Sequence, residues 1–304
     1  MRIVLIGHPS LGAKLLEAMI QNREEVVAVF APGDNLEKPG PLTVLAEEQH
    51  IPVHQPTVMK ETGVLELMAS YSPELGVLAF VSDLVPLALL NCPSQGTIMY
   101  HPSLLPRHRG GSAINWTIIQ GDTKTGLTII WPDAGIDTGP ILLQKEVAVS
   151  PDDTVGSLFF DKLYPMGIAA LIEAMQLVKQ GKAPRIPQDD RRATYEPLCR
   201  EGHAVIDWHR PAPEVYNLIR GTNPQPGAST TWQGQQLKIY DSQLLDTTSG
   251  VKAGEIISTG EYGFTVACGD GGILVKKVRP AGSSKIDASA FIREANLKAG
   301  MRLG

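Results

Sequence analysis

Around His101 the sequence alone supplies the parts of a proton-transfer site. This residue ends the apolar run Gly96–Tyr100 and opens the loop Pro102-Ser103-Leu104-Leu105-Pro106-Arg107-His108-Arg109-Gly110-Gly111. A second polar loop follows downstream, Asp133-Ala134-Gly135-Ile136-Asp137-Thr138-Gly139-Pro140. A carboxylate held near an imidazole favours the imidazolium form. An imidazolium can donate a proton or stabilise an oxyanion, which suits acyl-type chemistry. The glycines of both loops allow close backbone approach. A plainer reading competes with this one. A lone His is more often structural than catalytic, and a turn Asp often caps its own backbone. Asp133 fits that capping role better than Asp137.

The elements that must position these residues read as a layered α/β domain. Arg2–Ile6, Glu25–Phe30, Ile51–Val53, Leu75–Phe80, Gly96–Tyr100 and Leu127–Trp131 are short apolar runs. Helical spacing separates them over 11–21, 42–49 and 112–120, as with Leu11, Leu15, Leu16, Met19 and Ile20 on one face. Nearly continuous apolar strands are expected of a parallel sheet covered on both faces. The expectation is an α/β, doubly wound, mostly parallel sheet. Ligands of such sheets bind beyond the carboxyl ends of the strands, where His101 falls. Asp152, Asp153 and Thr154 offer N-cap oxygens for a later helix. Its second part runs through Ile168, Leu171, Ile172, Met175 and Val178 to a stop at Gly181, and Pro165 should kink or divide it.

A chain of 304 residues exceeds one average domain, so two are expected. The first is a catalytic domain over 1–188. A linker over 189–204 lies in a stretch rich in proline and paired charges. The third part, 205–304, reads as a smaller open β-barrel. It holds a helix over Ala212–Arg220 and strands over Gln236–Tyr240, Gly254–Ser258, Gly263–Ala267 and Gly272–Val278.

Composition narrows the function. A net charge of -5 argues against a protein built mainly to bind nucleic acid. Residues 205–304 carry 11 Lys and Arg against 9 Asp and Glu, a weak surplus. Lys276, Lys277 and Arg279 form either a small basic patch or an ordinary solvated strand face. Three scattered cysteines, Cys92, Cys199 and Cys268, with no C-x-x-C pair, read as buried or partly buried thiols in a reducing, cytoplasmic setting. No metal site is expected. The start, Met1 to Gly12, reads as a buried strand and turn rather than a leader. No segment approaches the ~18 uninterrupted apolar residues of a membrane span, so no membrane is expected as a partner. The turn Gly7-His8-Pro9-Ser10-Leu11-Gly12 lacks the middle glycine of a dinucleotide fingerprint and the Lys-Ser/Thr of a P-loop. No NAD(P) is expected.

The run from His101, H-P-S-L-L-P-R-H-R-G, followed by Asp133-x-Gly135-x-Asp137-Thr138-Gly139, resembles the folate-dependent formyltransferase family. The resemblance extends to Ile206-Asp207-Trp208, Asn217-Leu218-Ile219-Arg220, Pro226-Gly227-Ala228 and the segment Phe291 to Gly300. It implies a doubly wound formyl-transfer domain and, in one branch, a smaller open β-barrel. It also implies 10-formyltetrahydrofolate as formyl donor, with His101 and Asp137 catalytic. Folate is then expected in a cleft at the strand end Leu78 to Ser82. Phe80, Val81, Ser82, Met99, Arg109, Gly110, Asp133 and Gly135 are the expected substrate-binding residues.

The family's catalytic Asn belongs two residues before the His, where this chain has Met99. Met cannot donate an amide hydrogen bond to a tetrahedral oxyanion. Losing one such donor costs about 2.7–4 kcal/mol of transition-state stabilisation. Gly96–Trp116 is similar to the hydrolase domain of the 10-formyltetrahydrofolate dehydrogenases, a branch with an apolar residue at the Asn position. Gln144-Lys145-Glu146 and Asp152 to Val155 extend that similarity. Those enzymes continue with a carrier domain and an aldehyde dehydrogenase domain. Neither is expected within this chain, nor is NADP-dependent oxidation.

The leading expectation is removal or transfer of the formyl group of 10-formyltetrahydrofolate to water, a thiol or an amine. The alternatives are a methionyl-tRNA formyltransferase, a sugar-nucleotide amine formyltransferase and a non-catalytic folate-binding protein. Docking of a carrier protein in trans stays open, and tRNA is the less favoured partner. Met99→Asn should raise formylation of amine acceptors relative to water by restoring an oxyanion donor. Rates measured side by side with both acceptors check this, and an unchanged ratio removes position 99 from the argument.

Overall fold

The computed structural model describes residues 1–81, 84–246 and 250–304. In chain order the elements are β1 (Arg2–Gly7), α1 (Gly12–Gln21), β2 (Glu25–Phe30), α2 (Pro41–Glu48), β3 (Val53–His54), α3 (Val64–Ser70), β4 (Leu75–Ala79), α4 (Leu87–Leu90), β5 (Thr97–His101), α5 (Ala113–Ile119), β6 (Lys124–Ile130), β7 (Ile141–Ala148), α6 (Val155–Ser157), α7 (Tyr164–Lys179), α8 (Ala212–Gly221), β8 (Ala228–Trp232), β9 (Gln235–Leu245), β10 (Ile256–Gly260), β11 (Gly263–Ala267), β12 (Gly272–Pro280), β13 (Ile286–Asp287) and α9 (Ala288–Glu294). They form two compact units.

The first unit comprises 1–111, 126–147 and 163–195. Its sheet has the order β3-β2-β1-β4-β5-β6-β7. The pairs β1–β2, β1–β4, β2–β3 and β4–β5 are parallel. Side chains alternate across a strand, and that alternation makes two cores. Ile3 and Leu5 of β1 face one core, with Leu15, Leu16 and Met19 of α1 and Ala170, Leu171, Ala174 and Met175 of α7. Val4 and Ile6 face the other, with Val64 and Met68 of α3 and Leu89 and Leu90 of α4.

Beyond the short helices α3 and α4, which the sequence reading leaves out, two strands depart from it. β6 runs antiparallel to β5. Residues 125–130 of β6 are all buried, and a strand buried on both faces reads the same in either direction. β7 was not expected at all. Its burial alternates along Ile141–Ala148 instead of forming an apolar run, so a search for continuous runs passes over it.

The second unit comprises 112–125, 148–162 and 196–304. The stretch 189–204 therefore belongs partly to each unit: 189–195 to the first and 196–204 to the second. An open antiparallel sheet of order β10-β11-β12-β9-β8, with β13 on β12, encloses Phe264, Val266, Ile273, Val275 and Val278. Val215 and Ile219 of α8 and Phe291 of α9 complete this core. Here β8 also escaped the sequence reading, because Ser229, Thr230 and Thr231 break its apolar pattern.

Thr154 caps α6, with its side chain accepting from Ser157 N and the Ser157 hydroxyl accepting from Thr154 N. A π-helical segment, Leu158–Leu163, leads into α7, and Pro165 falls in the first turn of α7. The stretch 155–179 is long and apolar enough by composition to cross a membrane. Its stripe Ala170, Leu171, Ala174, Met175 and Val178 is buried in the first core.

Gly126 lets β6 approach β7. A Cβ there would lie 2.0 Å from the Lys145 carbonyl oxygen and 2.6 Å from Leu104 Cδ2. Backbone cannot yield as a flexible side chain does, so Gly126→Ala should destabilise by about 3 kcal/mol, the upper end of ordinary overpacking. Urea unfolding checks this, and a wild-type midpoint would contradict the close approach.

Candidate active site

β5 brings the imidazole to the sheet's carboxyl edge. Ile98 and Tyr100 point into the α7-side core, while Met99 and His101, two residues apart, share the opposite face. Tyr100 packs on α7, where a Cβ at Gly167 would lie 2.6 Å from its ring. Burial pushes the Tyr100 phenol far above its ordinary value, so it stays protonated.

His101 is 5% exposed. Its Nε2–H donates to the His108 carbonyl oxygen at 2.8 Å. Its Nδ1 lies 3.5 Å from Asp137 Oδ1. Both ring nitrogens thus face acceptors, and only the imidazolium carries a proton for each. The 3.5 Å separation is an ion-pair distance, longer than a good N–H···O bond.

Asp137 is held at several points. Its Oδ2 accepts from the Gly110 N–H at 2.8 Å. Its carbonyl accepts from Gln188 Nε2 at 2.8 Å. Its φ of +57° lies in the left-handed region, which Asp tolerates better than most residues.

The loop after β5 is clamped from three sides. Thr128 Oγ1 donates to the Ser103 carbonyl at 2.7 Å and accepts from Leu105 N at 3.1 Å and Gln144 Nε2 at 3.0 Å. That exhausts its one proton and two lone pairs. Gln144 Nε2 also donates to the Leu105 carbonyl at 2.8 Å. Thr194 takes the His108 N–H on its hydroxyl at 2.8 Å and the Arg109 N–H on its carbonyl at 3.1 Å.

The remaining expected residues divide. Gly110, at φ +111°, presents its N–H to Asp137. Arg109 is buried, and its guanidinium donates to Gln188 Oε1 and to Asp190 Oδ1. Asp133 Oδ1 accepts from Gly135 N at 3.0 Å and Thr138 Oγ1 at 2.6 Å, closing its own loop. A Cβ at Gly135 would lie 2.1 Å from Thr138 Oγ1. Phe80, at φ +59°, packs its ring between Tyr100 at 4.8 Å and Tyr164 at 5.0 Å. Val81 is half-buried against the α3–α4 core. Ser82 lies outside the described residues.

Sequence reasoning missed Gln188, Thr128 and Thr194. Thr128 left a trace, a hydroxyl within the apolar run Leu127–Trp131; Gln188 left none. A polar cavity of about 420 Å³ in the second unit, lined partly by Tyr216, Arg220 and Lys276, includes none of these residues. Among the described residues no three His, Cys, Asp or Glu side chains gather to hold a metal.

Residues 1–174 match the formyl transferase family, and 200–296 match the formyl transferase C-terminal domain. The chain belongs to the formyl transferase family. It is 38% identical over 297 residues to a methionyl-tRNA formyltransferase of Trichlorobacter lovleyi, covering 96% of this chain and 93% of that one. It is 43% identical over 260 residues to a mitochondrial 10-formyltetrahydrofolate dehydrogenase of Mus musculus, covering 84% of this chain but only 28% of that protein. The fold is also that of an N-formyltransferase from Helicobacter canadensis, solved with folinic acid and dTDP-3-aminofucose. That likeness has a TM-score of 0.69 at 18% identity and covers 93% of this chain and 99% of the other.

Thr128→Val keeps the shape of the side chain and removes the hydroxyl that three groups share. It should cost about 1–3 kcal/mol, the usual cost of stranding buried polar groups, and speed amide exchange at Leu105. Hydrogen exchange checks this, and an unchanged Leu105 rate would mean the loop is held elsewhere.

Proposed function

We propose that this chain removes the formyl group of 10-formyltetrahydrofolate, with water as the favoured acceptor. The observation that carries this reading is the buried His101 imidazole, set between the His108 carbonyl and the Asp137 carboxylate. In the proposed reaction the acceptor oxygen attacks the formyl carbon and gives its proton to Asp137. The carbonyl oxygen becomes an oxyanion, stabilised by the His101 imidazolium. When the adduct collapses, the C–N10 bond breaks and N10 takes a proton from His101. The proton held by Asp137 then returns to His101, and the products are tetrahydrofolate and formic acid, which loses its proton to solvent as formate.

Met99 supports the hydrolytic form of the reading. It shares a strand face with His101 and offers no amide donor, as in the hydrolase branch that the sequence resembles. A second reading has its own support. The likeness to the methionyl-tRNA formyltransferase runs through both domains and nearly the whole of that protein, so initiator Met-tRNA is the acceptor to test against water.

The test supplies the purified chain with 10-formyltetrahydrofolate alone, with a thiol, with amino-sugar nucleotides and with initiator Met-tRNA. Tetrahydrofolate and formate should form without any added acceptor. Faster formylation of Met-tRNA would favour the second reading, and folate binding without turnover would leave only a binding protein. Asp137→Ala should abolish turnover with unfolding nearly unchanged, and full activity in that variant would remove Asp137 from the site.

A further inference from the structure

Asp137 is gripped at two points, directly by Gly110 of the facing loop and by Gln188, which the preceding residue Arg109 holds in turn. Gly110 N–H holds its carboxylate at 2.8 Å. The side chain of the preceding residue, Arg109, reaches Gln188 Oε1 through Nε at 3.2 Å and Nη2 at 2.9 Å. Gln188 Nε2 then donates to the carbonyls of Asp137 and Gly139, each at 2.8 Å. The result is a closed ring, in which hydrogen bonds join the Asp137 carboxylate to Gly110, Arg109 to Gln188 and Gln188 to the Asp137 carbonyl, and the chain itself joins the rest. We infer that Gln188 and Arg109 are positioning residues that hold Asp137 against His101.

The chemistry of the Gln188 amide fixes its orientation. Both of its N–H groups meet carbonyls, and its oxygen meets two guanidinium donors. A flipped amide would set oxygen against two carbonyl oxygens and nitrogen against a cation, so the network determines which way it points. Asp137 needs such a hold. Its left-handed backbone conformation costs about 1–3 kcal/mol and persists only where the surroundings over-determine it. Tethering the carboxylate alone would leave the peptide free to relax; tethering the carbonyl as well fixes both ends. The Arg109 guanidinium is engaged by Gln188 and, at 2.7 Å, by Asp190. Asp190 is itself 82% exposed, so that last contact adds little.

The catalytic meaning of this pair rests on the proposed function, so the test has two independent readouts. Gln188→Leu removes every bond of the amide. Gln188→Glu keeps the acceptor for Arg109 but places an anion against the two carbonyls. Both should lower kcat for 10-formyltetrahydrofolate about 10- to 100-fold, the scale of a displaced catalytic group, with KM changed less than about threefold. Arg109→Ala should do the same, and the double variant with Gln188→Leu should lose far less than the product of the two. Without any turnover, the ring-nitrogen NMR shifts of His101 should move in Gln188→Leu towards those of Asp137→Ala.

Wild-type kcat together with wild-type His101 shifts in a folded Gln188→Leu protein would overturn the inference. An Arg109→Ala variant that raised KM alone would return Arg109 to ligand binding and overturn its half. If Gln188→Leu does not fold, Gln188→Glu gives the same two readouts. A wild-type chain without turnover but with the His101 shift in Gln188→Leu would sink the functional reading and leave this one standing.

Discussion

The site depends on a buried imidazole with an acceptor at each ring nitrogen. His108 supplies one from the loop that follows β5, and Asp137 supplies the other from the loop between β6 and β7. A charged group taken out of water is tolerated only when it is paired. The ring is useful only while both loops stay in register. The surrounding polar contacts read as answers to that demand.

Some of these contacts tie a loop to the sheet, and others tie it to the segment that follows α7. Thr128 and Gln144 fasten the His101 loop to β6 and β7. Thr194 fastens it to the segment that returns past the sheet edge. Gln188 fastens the Asp137 loop. The backbone is unusual in the same places: Phe80, His108 and Asp137 all adopt left-handed conformations although none is glycine. Phe80 follows β4, and the other two belong to the loops that meet at the imidazole. Strain of this kind persists where packing and hydrogen bonds over-determine it. The sheet supplies that rigidity, since β1, β4 and β5 are almost wholly buried and Phe80 and the His101 loop follow directly from β4 and β5.

Much of this was legible in the sequence. His101 and Asp137 stood out because each combines a titratable group with glycines that let another backbone come close. The doubly wound sheet was legible because its strands are unbroken apolar runs. The rest was hidden for definite reasons. The direction of β6 is absent from a run that is buried on both sides, and β7 and β8 mix polar with apolar residues. Asp133, four residues before Asp137, closes its own turn, the capping role for which the sequence already favours it over Asp137. Arg109 is expected from the resemblance to bind substrate, and its bonds to Gln188 and Asp190 leave no mark in the sequence. Its partner Gln188 is distant in sequence, and nothing in a stretch of prolines and paired charges marks one glutamine as a brace.

The acceptor is a separate problem from the chemistry. A His–Asp pair that protonates a leaving nitrogen and takes the nucleophile's proton acts alike on oxygen, sulfur or nitrogen. Discrimination must come from groups that touch the acceptor or its adduct. A site built to hydrogen-bond a polar group rejects ligands that lack it far more strongly than an apolar site rejects any one of them. With Met99 on the His101 face of β5, that position makes no hydrogen-bonding demand. Water, which needs no recognition surface, loses least by its absence. A large acceptor would have to find its contacts beyond β5, on parts of the chain that the proton chemistry does not use. In the proposed reaction the imidazole and its carboxylate serve the departure of the formyl group, and the side chain two residues before the imidazole bears on its acceptor.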